Sequence, residues 1–329
     1  MASSFLPLQN AIHCFSSLIR DHPHGANIDF EYLAEILRIL GRDGLNTDPE
    51  PVLSQNEALR SLPVLCCEAV GGHSSQAERV NSAWLLFYKA AHLLDLVEDS
   101  EAEDRELLPA QPAQILNAAT GLIFAANMLL NLEEGDMGKA IREDFSFTGW
   151  QMCAGQHADL TQAAPGLQQC WQIAEAKSGE FFALACRAGA RLGGAAPPQI
   201  EAFDGYGRHL GILIQIADDV SGLWSATGER CDLIRKGKWT LPVAYAMTAC
   251  PDEKQRELQQ ALQQAAKDTE AERQARRLII ESGAVLYLRI EAEKHSQQCL
   301  AALDRIDLPS AIRERLSGMV TEIASLGQS

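Results

Sequence analysis

What most constrains this chain is a rhythm. Apolar residues recur along it at three- and four-residue spacing, and few segments alternate apolar with polar residues. No Asn-Gly or Asp-Gly turn stands between two β-branched runs, so a hairpin has no obvious starting point. Helices are expected near 5–20, 28–41, 55–70, 76–104, 112–132, 136–161, 168–193, 198–224, 239–249, 252–266, 269–282, 284–303 and 308–327. Between them stand Pro51, Gly71-Gly72, Pro109, Gly135, Pro165-Gly166, Gly193-Gly194, Pro197-Pro198 and Pro251. The connections are short, and no linker or repeat divides the chain. The expectation is therefore one all-α domain over residues 1–329, a helical bundle around a central hydrophobic cavity, with 1–54 forming N-terminal helices.

The helices at 112–132 and 205–217 are apolar on more than one face, which marks them as interior. A bundle with such a centre could contain a hydrocarbon chain, or these helices could simply fill a core. The stretch Leu107–Leu132 carries no charge and is long enough to span a bilayer. Its prolines, glutamines and asparagines are costly in hydrocarbon, so a buried helix and no transmembrane segment are expected. With 28 Lys+Arg against 44 Asp+Glu, the net charge of -16 repels phosphate backbones and anionic lipid, and disfavours nucleic acid as a partner. An anionic substrate would have to be met through metal ions. The nine cysteines are odd in number and form no C-x-x-C, a pattern that suits reduced thiols in the cytoplasm. The start, MASSFLPLQNAIHC, lacks a basic stretch before its apolar run, so no secretory signal is expected.

Two acidic clusters interrupt the apolar pattern. In HLLDLVEDSEAED, Asp95, Glu98 and Asp99 share one helix face. Like charges at that spacing destabilise a helix by roughly a few tenths of a kcal/mol unless a cation compensates. A metal site and a solvated acidic surface are both open readings. In HLGILIQIADDVSGL, Asp218 and Asp219 follow eight residues of which Gln215 is the polar one, so at least one acid is driven inward. A buried carboxylate must be paired, protonated or metal-bound. Mg²⁺ takes carboxylate, phosphate and water oxygens, so two acidic patches on facing helices could bind a diphosphate through it. Basic residues should accompany them. Lys177 in AEAKSGEFF, and Arg235, Lys236 and Lys238 in DLIRKGKWTLP, are the candidates. DHPHG, with His22 and His24, reads as a loop, and the Gly207/Gly211 pair as a site of close helix packing.

Taken together, these segments resemble the trans-isoprenyl diphosphate synthase (polyprenyl synthetase) family from about residue 55 onward. YGRHLGILIQIADDVSGL and DLIRKGKWTLPVAYAM resemble the family's second Asp-rich motif and its following G-K-x-T-L-P. AGQHADL resembles G-Q-x-x-D, EAKSGEFF resembles the K-T-x-x-L-F helix, and AAHLLDLVED falls where the first Asp-rich motif belongs. The resemblance implies an isoprenoid synthase fold and a homodimer. Asp95, Asp99, Asp218 and Asp219 would then ligate Mg²⁺ that bridges to an allylic isoprenoid diphosphate, with Glu98 substituting from the next turn. Lys177 and Lys238 would neutralise the diphosphate, and Gln156 and Gln215 would line the reaction chamber. The implied reaction is ionisation to an allylic cation shielded from water.

The sequence also departs from the family pattern. Leu96 occupies the second Asp position of the first motif and Gly222 the last of the second, and the Arg pair after the first motif is reduced to Arg105. Where the family's G-G-K-R-x-R grips isopentenyl diphosphate this chain has EALRSLP, keeping Arg60 but with Leu59 and Leu62 at the other cationic positions. The ionisation site is largely present and the isopentenyl site is impaired. In the family the residues four and five before the first Asp set product length. Here Ala91 and Ala90 leave room, with Tyr88 and Phe87 about a turn deeper, which implies chains of C20 or longer. The expectation is a prenyltransferase. Transfer to a different acceptor, cyclisation, or service as a catalytically weak regulatory subunit are its alternatives.

Overall fold

The computed structural model describes residues 11–12, 14–18, 30–42, 57–99, 108–162, 164–224, 234 and 238–326. Within these residues the chain is helical and contains no strand. The helices are α1 (Phe30–Arg42), α2 (Glu57–Arg60), α3 (Leu62–Ala69), α4 (Ser74–Glu98), α5 (Pro112–Leu130), α6 (Gly135–Thr161), α7 (Leu167–Ala174), α8 (Glu180–Leu192), α9 (Pro197–Ser221), α10 (Leu241–Ala249), α11 (Asp252–Gln264), α12 (Thr269–Glu281), α13 (Ala284–Asp304) and α14 (Ser310–Leu326). Among the described residues most boundaries lie within two or three residues of those expected from periodicity; most of the helix expected near 5–20 and the end of that at 76–104 lie outside them. Two interruptions were not foreseen. Ser61 separates α2 from α3, where Pro63 cannot donate to the preceding turn, and Glu175–Gly179 between α7 and α8 winds as a π-helical turn.

A single device starts four of these helices. The third residue of α4, α5, α7 and α9 is a glutamine whose side-chain oxygen accepts from the backbone N–H just before the helix: Gln76 from His73 at 2.7 Å, Gln114 from Gln111 at 3.2 Å, Gln169 from Gly166 at 2.8 Å and Gln199 from Ala196 at 2.9 Å. Each satisfies one donor that an helix start leaves open.

The chain groups into two compact units. The first comprises Met1–Ser146, Ala185–Ile200 and Leu308–Ile312. In it α4 packs along α5 and against α3, and α1 packs on α5. Trp84, Leu86, Leu93, Ile115 and Leu129 are fully buried there, each contributing roughly 1.5–3 kcal/mol by leaving water. α5 is long and apolar enough to cross a membrane by length and composition. Its Ile115, Ala119, Leu122, Ala126 and Leu129 are nevertheless buried in protein. Tyr32 of α1 donates to the Asn117 carbonyl at 2.8 Å, and Arg187 and Arg191 of α8 converge on Asp144 of α6 at 3.6 and 3.2 Å.

The second unit comprises Phe147–Leu184, Glu201–Asp307 and Arg313–Ser329. Its core gathers Leu223, Ile234, Val243, Ala246, Leu258, Leu278 and Ile279, with Trp239 and Tyr245 packed against it. Tyr206, fully buried on α9, donates to the Leu316 carbonyl of α14 at 2.9 Å.

Candidate active site

In the second unit α6 and α9 close on the π-helical turn and the first turn of α8 where glycine lets them. A Cβ at Gly211 of α9 would lie 2.2 Å from the Ser178 carbonyl oxygen, one at Gly207 2.5 Å from that of Phe182, and one at Gly155 of α6 2.9 Å from the Ala176 Cβ. The Gly207/Gly211 spacing therefore serves close backbone packing, as the sequence suggested. The extra residue of a π turn rotates the side chains that follow it, and such turns recur at functional sites. Here it carries Lys177 and Ser178.

From this turn a hydrogen-bonded chain runs to the buried acid. Ser178 Oγ donates to Gln215 Oε1 at 2.7 Å, and Gln215 Nε2 donates to Asp219 Oδ1 at 2.9 Å. The Leu241 N–H donates to Asp219 Oδ2, also at 2.9 Å. The Gln215 amide is thus fixed in orientation. Asp219 is only 6% exposed. Burial pushes its carboxyl up to about 6, against the pull of the Leu241 and Gln215 hydrogen bonds and of Lys238, while Asp159 pushes the same way as burial. Its neighbour Asp218 is half-buried. Lys177 Nζ pairs with Asp159 Oδ2 of α6 at 3.2 Å. Gln156, a turn before Asp159 on α6, and Lys238, in the segment before α10, are both half-buried. Cys170 donates weakly to the Trp239 carbonyl at 3.7 Å. Burial, with Asp219 and Asp159 adding, pushes its thiol up to about 12, so it stays protonated and unreactive.

In the first unit, Asp95 and Glu98 close α4 and Asp99 caps it, its N–H donating to the Asp95 carbonyl at 2.8 Å. Asp95 and Asp99 are half-buried and Glu98 is exposed. Ala90 is fully buried and Ala91 half-buried. Phe87 meets Phe145 at 6.3 Å between ring centroids, and Tyr88 stacks on His92 at 6.5 Å. Arg60 is half-buried, whereas Leu59 and Leu62 are 0% exposed. Arg105, Arg235 and Lys236 lie outside the described residues.

Both acidic pairs end a helix. The last turns of α4 and α9 carry no basic residue, and the helix dipole already places negative charge there. No three His, Cys, Asp or Glu side chains among the described residues are gathered as a metal cage. The hard carboxylate oxygens at the two helix ends suit an ion such as Mg²⁺ that takes the rest of its coordination from substrate and water. Sequence reasoning did not single out Ser178 as the partner of Gln215, or Asp159 as the partner of Lys177. The K-S pair in the turn was the available signal for the first, and the last residue of G-Q-x-x-D in AGQHADL for the second, though its partner was not marked.

The family model for polyprenyl synthetase matches residues 61–279. The chain belongs to the polyprenyl synthetase family. A (2E,6E)-farnesyl diphosphate synthase of Mycobacterium bovis is 32% identical over 133 residues, which cover 38% of this chain and 37% of that protein. The match thus spans little more than a third of that relative's length. The structure superposes on a polyprenyl synthetase from Streptomyces coelicolor A3(2) with a TM-score of 0.80 at 23% identity, over 97% of each chain. It superposes on a polyprenyl synthase from Caulobacter crescentus CB15, complexed with calcium and isoprenyl diphosphate, with a TM-score of 0.77 at 22% identity, over 98% of this chain and 96% of that one. The fold is the all-α isoprenoid synthase fold.

Proposed function

We propose that this chain is a Mg²⁺-dependent prenyltransferase acting on an allylic isoprenoid diphosphate of C20 or longer. The observation that carries the reading is the pair of carboxylate-bearing helix ends without a base in the turn, each of which gains from a cation. Asp95, Asp99 and Glu98 would hold Mg²⁺ at the end of α4. At the end of α9 Asp218 and Asp219 would ligate Mg²⁺, Asp219 through the lone pairs left beside the hydrogen bonds from Gln215 and Leu241. Bound Mg²⁺ supplies positive charge that stabilises the departing diphosphate. Lys177 and Lys238 add their ammonium charges to the same leaving group. Ser178 and Gln215 present oriented oxygen dipoles beside Lys177, suited to an allylic cation. Gln156 belongs to the same wall. Ala90 and Ala91 leave volume for the hydrocarbon, with Phe87 and Tyr88 as its floor.

A second reading concerns the acceptor. Leu59 and Leu62 are fully buried core residues, and two such side chains cannot grip a diphosphate as cationic forks do. This favours an acceptor other than isopentenyl diphosphate, or cyclisation. Homodimerisation is supported by Phe147 and Trp150, one turn apart on α6 and 62% and 73% exposed. A cytoplasmic setting is supported by the free thiols, six of which are buried.

The test is Mg²⁺-dependent diphosphate release from geranyl, farnesyl and geranylgeranyl diphosphate, with and without isopentenyl diphosphate, beside Asp218→Ala. Release that needs isopentenyl diphosphate and lengthens the chain means ordinary elongation. Release without it means another acceptor or cyclisation. No release from any substrate would refute catalysis by this chain alone and favour a regulatory subunit.

A further inference from the structure

The second unit holds a group of side chains that the proposed chemistry does not use. His209 of α9 and His295 of α13 face each other with Nδ1 atoms 3.0 Å apart and ring centroids 5.1 Å apart. Trp171 of α7 stacks on His295 at 6.1 Å and donates through Nε1 to Tyr287 Oη at 3.1 Å. Tyr287 in turn stacks on Tyr245 at 4.3 Å. Two imidazoles that point the same atom at each other can share one proton between them, so one Nδ1 of the pair is a bare lone pair.

We propose that His209 and His295 form a two-imidazole site for a nitrogen-preferring divalent transition ion of the Ni²⁺, Cu²⁺ or Zn²⁺ class, separate from the carboxylate sites for Mg²⁺. Three features argue for it. The first is distance. Two imidazole nitrogens about 2.0–2.1 Å from one ion are about 2.9 Å apart in square geometry and about 3.3 Å apart in tetrahedral geometry. The observed 3.0 Å lies between, so the ion enters with a few tenths of an ångström of opening. The second is protonation. Burial, then Arg208, lowers His209, and burial, then His209, lowers His295 to about 4. Both rings are neutral at pH 7, and metal need not compete with a proton for the pair. The third is the surrounding charge. Arg208, beside His209, is already occupied by Glu175, Glu180 and Asp204. Lys294 is held by Glu291 at 2.7 Å. Glu175 and Glu291 act on the two rings in the sense that favours a cation. Water completes the coordination. Mg²⁺, which prefers oxygen donors, would not compete for the nitrogens. The ion would tie α9, the helix that bears Gln215, Asp218 and Asp219, to α13.

Trp171 provides the readout. Ni²⁺ is titrated into the full chain under excess Mg²⁺, which keeps the carboxylate sites filled, with binding followed by calorimetry and by tryptophan fluorescence. The expected result is one Ni²⁺ per chain with partial quenching of the five tryptophans. Affinity should fall about tenfold or more in His209→Gln and in His295→Gln, each checked for cooperative unfolding. His22→Gln/His24→Gln should behave as wild type. Trp171→Phe keeps both imidazoles and so reads the site even if an imidazole variant fails to fold: Ni²⁺ should bind with most of the quenching gone. The proposal is overturned if wild type binds no Ni²⁺ under these conditions, if affinity survives in both folded imidazole variants, or if quenching in Trp171→Phe equals that of wild type.

Discussion

The two acidic helix ends solve the same electrostatic problem in opposite ways. At the end of α9, Asp219 is enclosed, and both its oxygens are fixed by donors from Gln215 and Leu241. At the end of α4, Asp95, Glu98 and Asp99 crowd one turn that is half-buried to exposed. The first arrangement is oriented before any ligand arrives, so binding need not also order it. The second sets like charges close together at a helix C-terminus, a repulsion that a cation would relieve. Preorganisation is therefore concentrated in the second unit, where Lys177 and Ser178 are placed by the π turn. In the first unit Ala90, Ala91, Phe87 and Tyr88 lie on α4 within about two turns of its acidic end.

The largest effect should come from removing charge on the preorganised side. Lys177→Met keeps the length of the stem and the packing against Gly155 but removes the ammonium group that pairs with Asp159. The turnover of an allylic diphosphate should fall by about 10²–10³-fold with little change in Tm, since one preorganised charge is lost from the leaving-group side. Comparable turnover in the variant would mean that Lys177 is only a surface ion-pair partner.

A comparable magnitude, read as stability, belongs to Asp219. Its folded pKa of about 6 lies above the ordinary 3.8. The folded state therefore holds the proton more tightly, a stabilisation complete below pH 4 and lost as pH rises through about 6. The difference amounts to about 3 kcal/mol. Asp219→Asn can keep the hydrogen bonds if the Gln215 amide turns over, with Ser178 then accepting. Measured by denaturant unfolding without metal, the variant should gain on wild type from pH 4 to pH 6 and stay level above pH 7. A pH-independent difference would break the contrast with α4, because it would mean Asp219 titrates as an exposed acid does.

Much of this was legible in the sequence, and the limits have physical causes. The periodicity located α9 and α13 because their apolar residues must face a core at helical spacing. The eight-residue apolar run before Asp218 foretold the burial of Asp219. The π turn at Glu175–Gly179 was invisible, since one extra residue in a turn leaves composition and mean periodicity nearly unchanged. It was hidden inside an expected helix at 168–193. The break at Ser61 had a cue in Pro63, read over because Leu59, Leu62 and Leu65 continue the apolar stripe. Pairings such as Lys177 with Asp159, Ser178 with Gln215 and His209 with His295 join residues 18, 37 and 86 positions apart. Such distances are set by packing, which no local pattern carries.

Smaller effects sharpen the contrast at backbone level. Gly211→Ala would set a methyl 2.2 Å from the Ser178 carbonyl. Because the obstacle is backbone, α9 and the π turn must move apart, at about 1–3 kcal/mol. Thermal unfolding should show the loss of stability, and kcat should fall because Ser178 and Gln215 separate. An unchanged kcat would show that their 2.7 Å hydrogen bond has no part in turnover.

The smallest effect changes sign with conditions, and it isolates the α4 turn. Glu98→Gln removes an exposed negative charge from a helix end where both the dipole and Asp95 oppose it. Without metal the variant should be more stable by about 0.3–0.5 kcal/mol. With Mg²⁺ and an allylic diphosphate bound, the same charge helps to hold the cation, so the variant should lose its advantage and bind Mg²⁺ more weakly. Paired unfolding curves with and without Mg²⁺ and diphosphate measure the crossing. If the two curves keep the same offset in both conditions, Glu98 is a solvated surface acid, and the cation at the end of α4 is held by Asp95 and Asp99 without it.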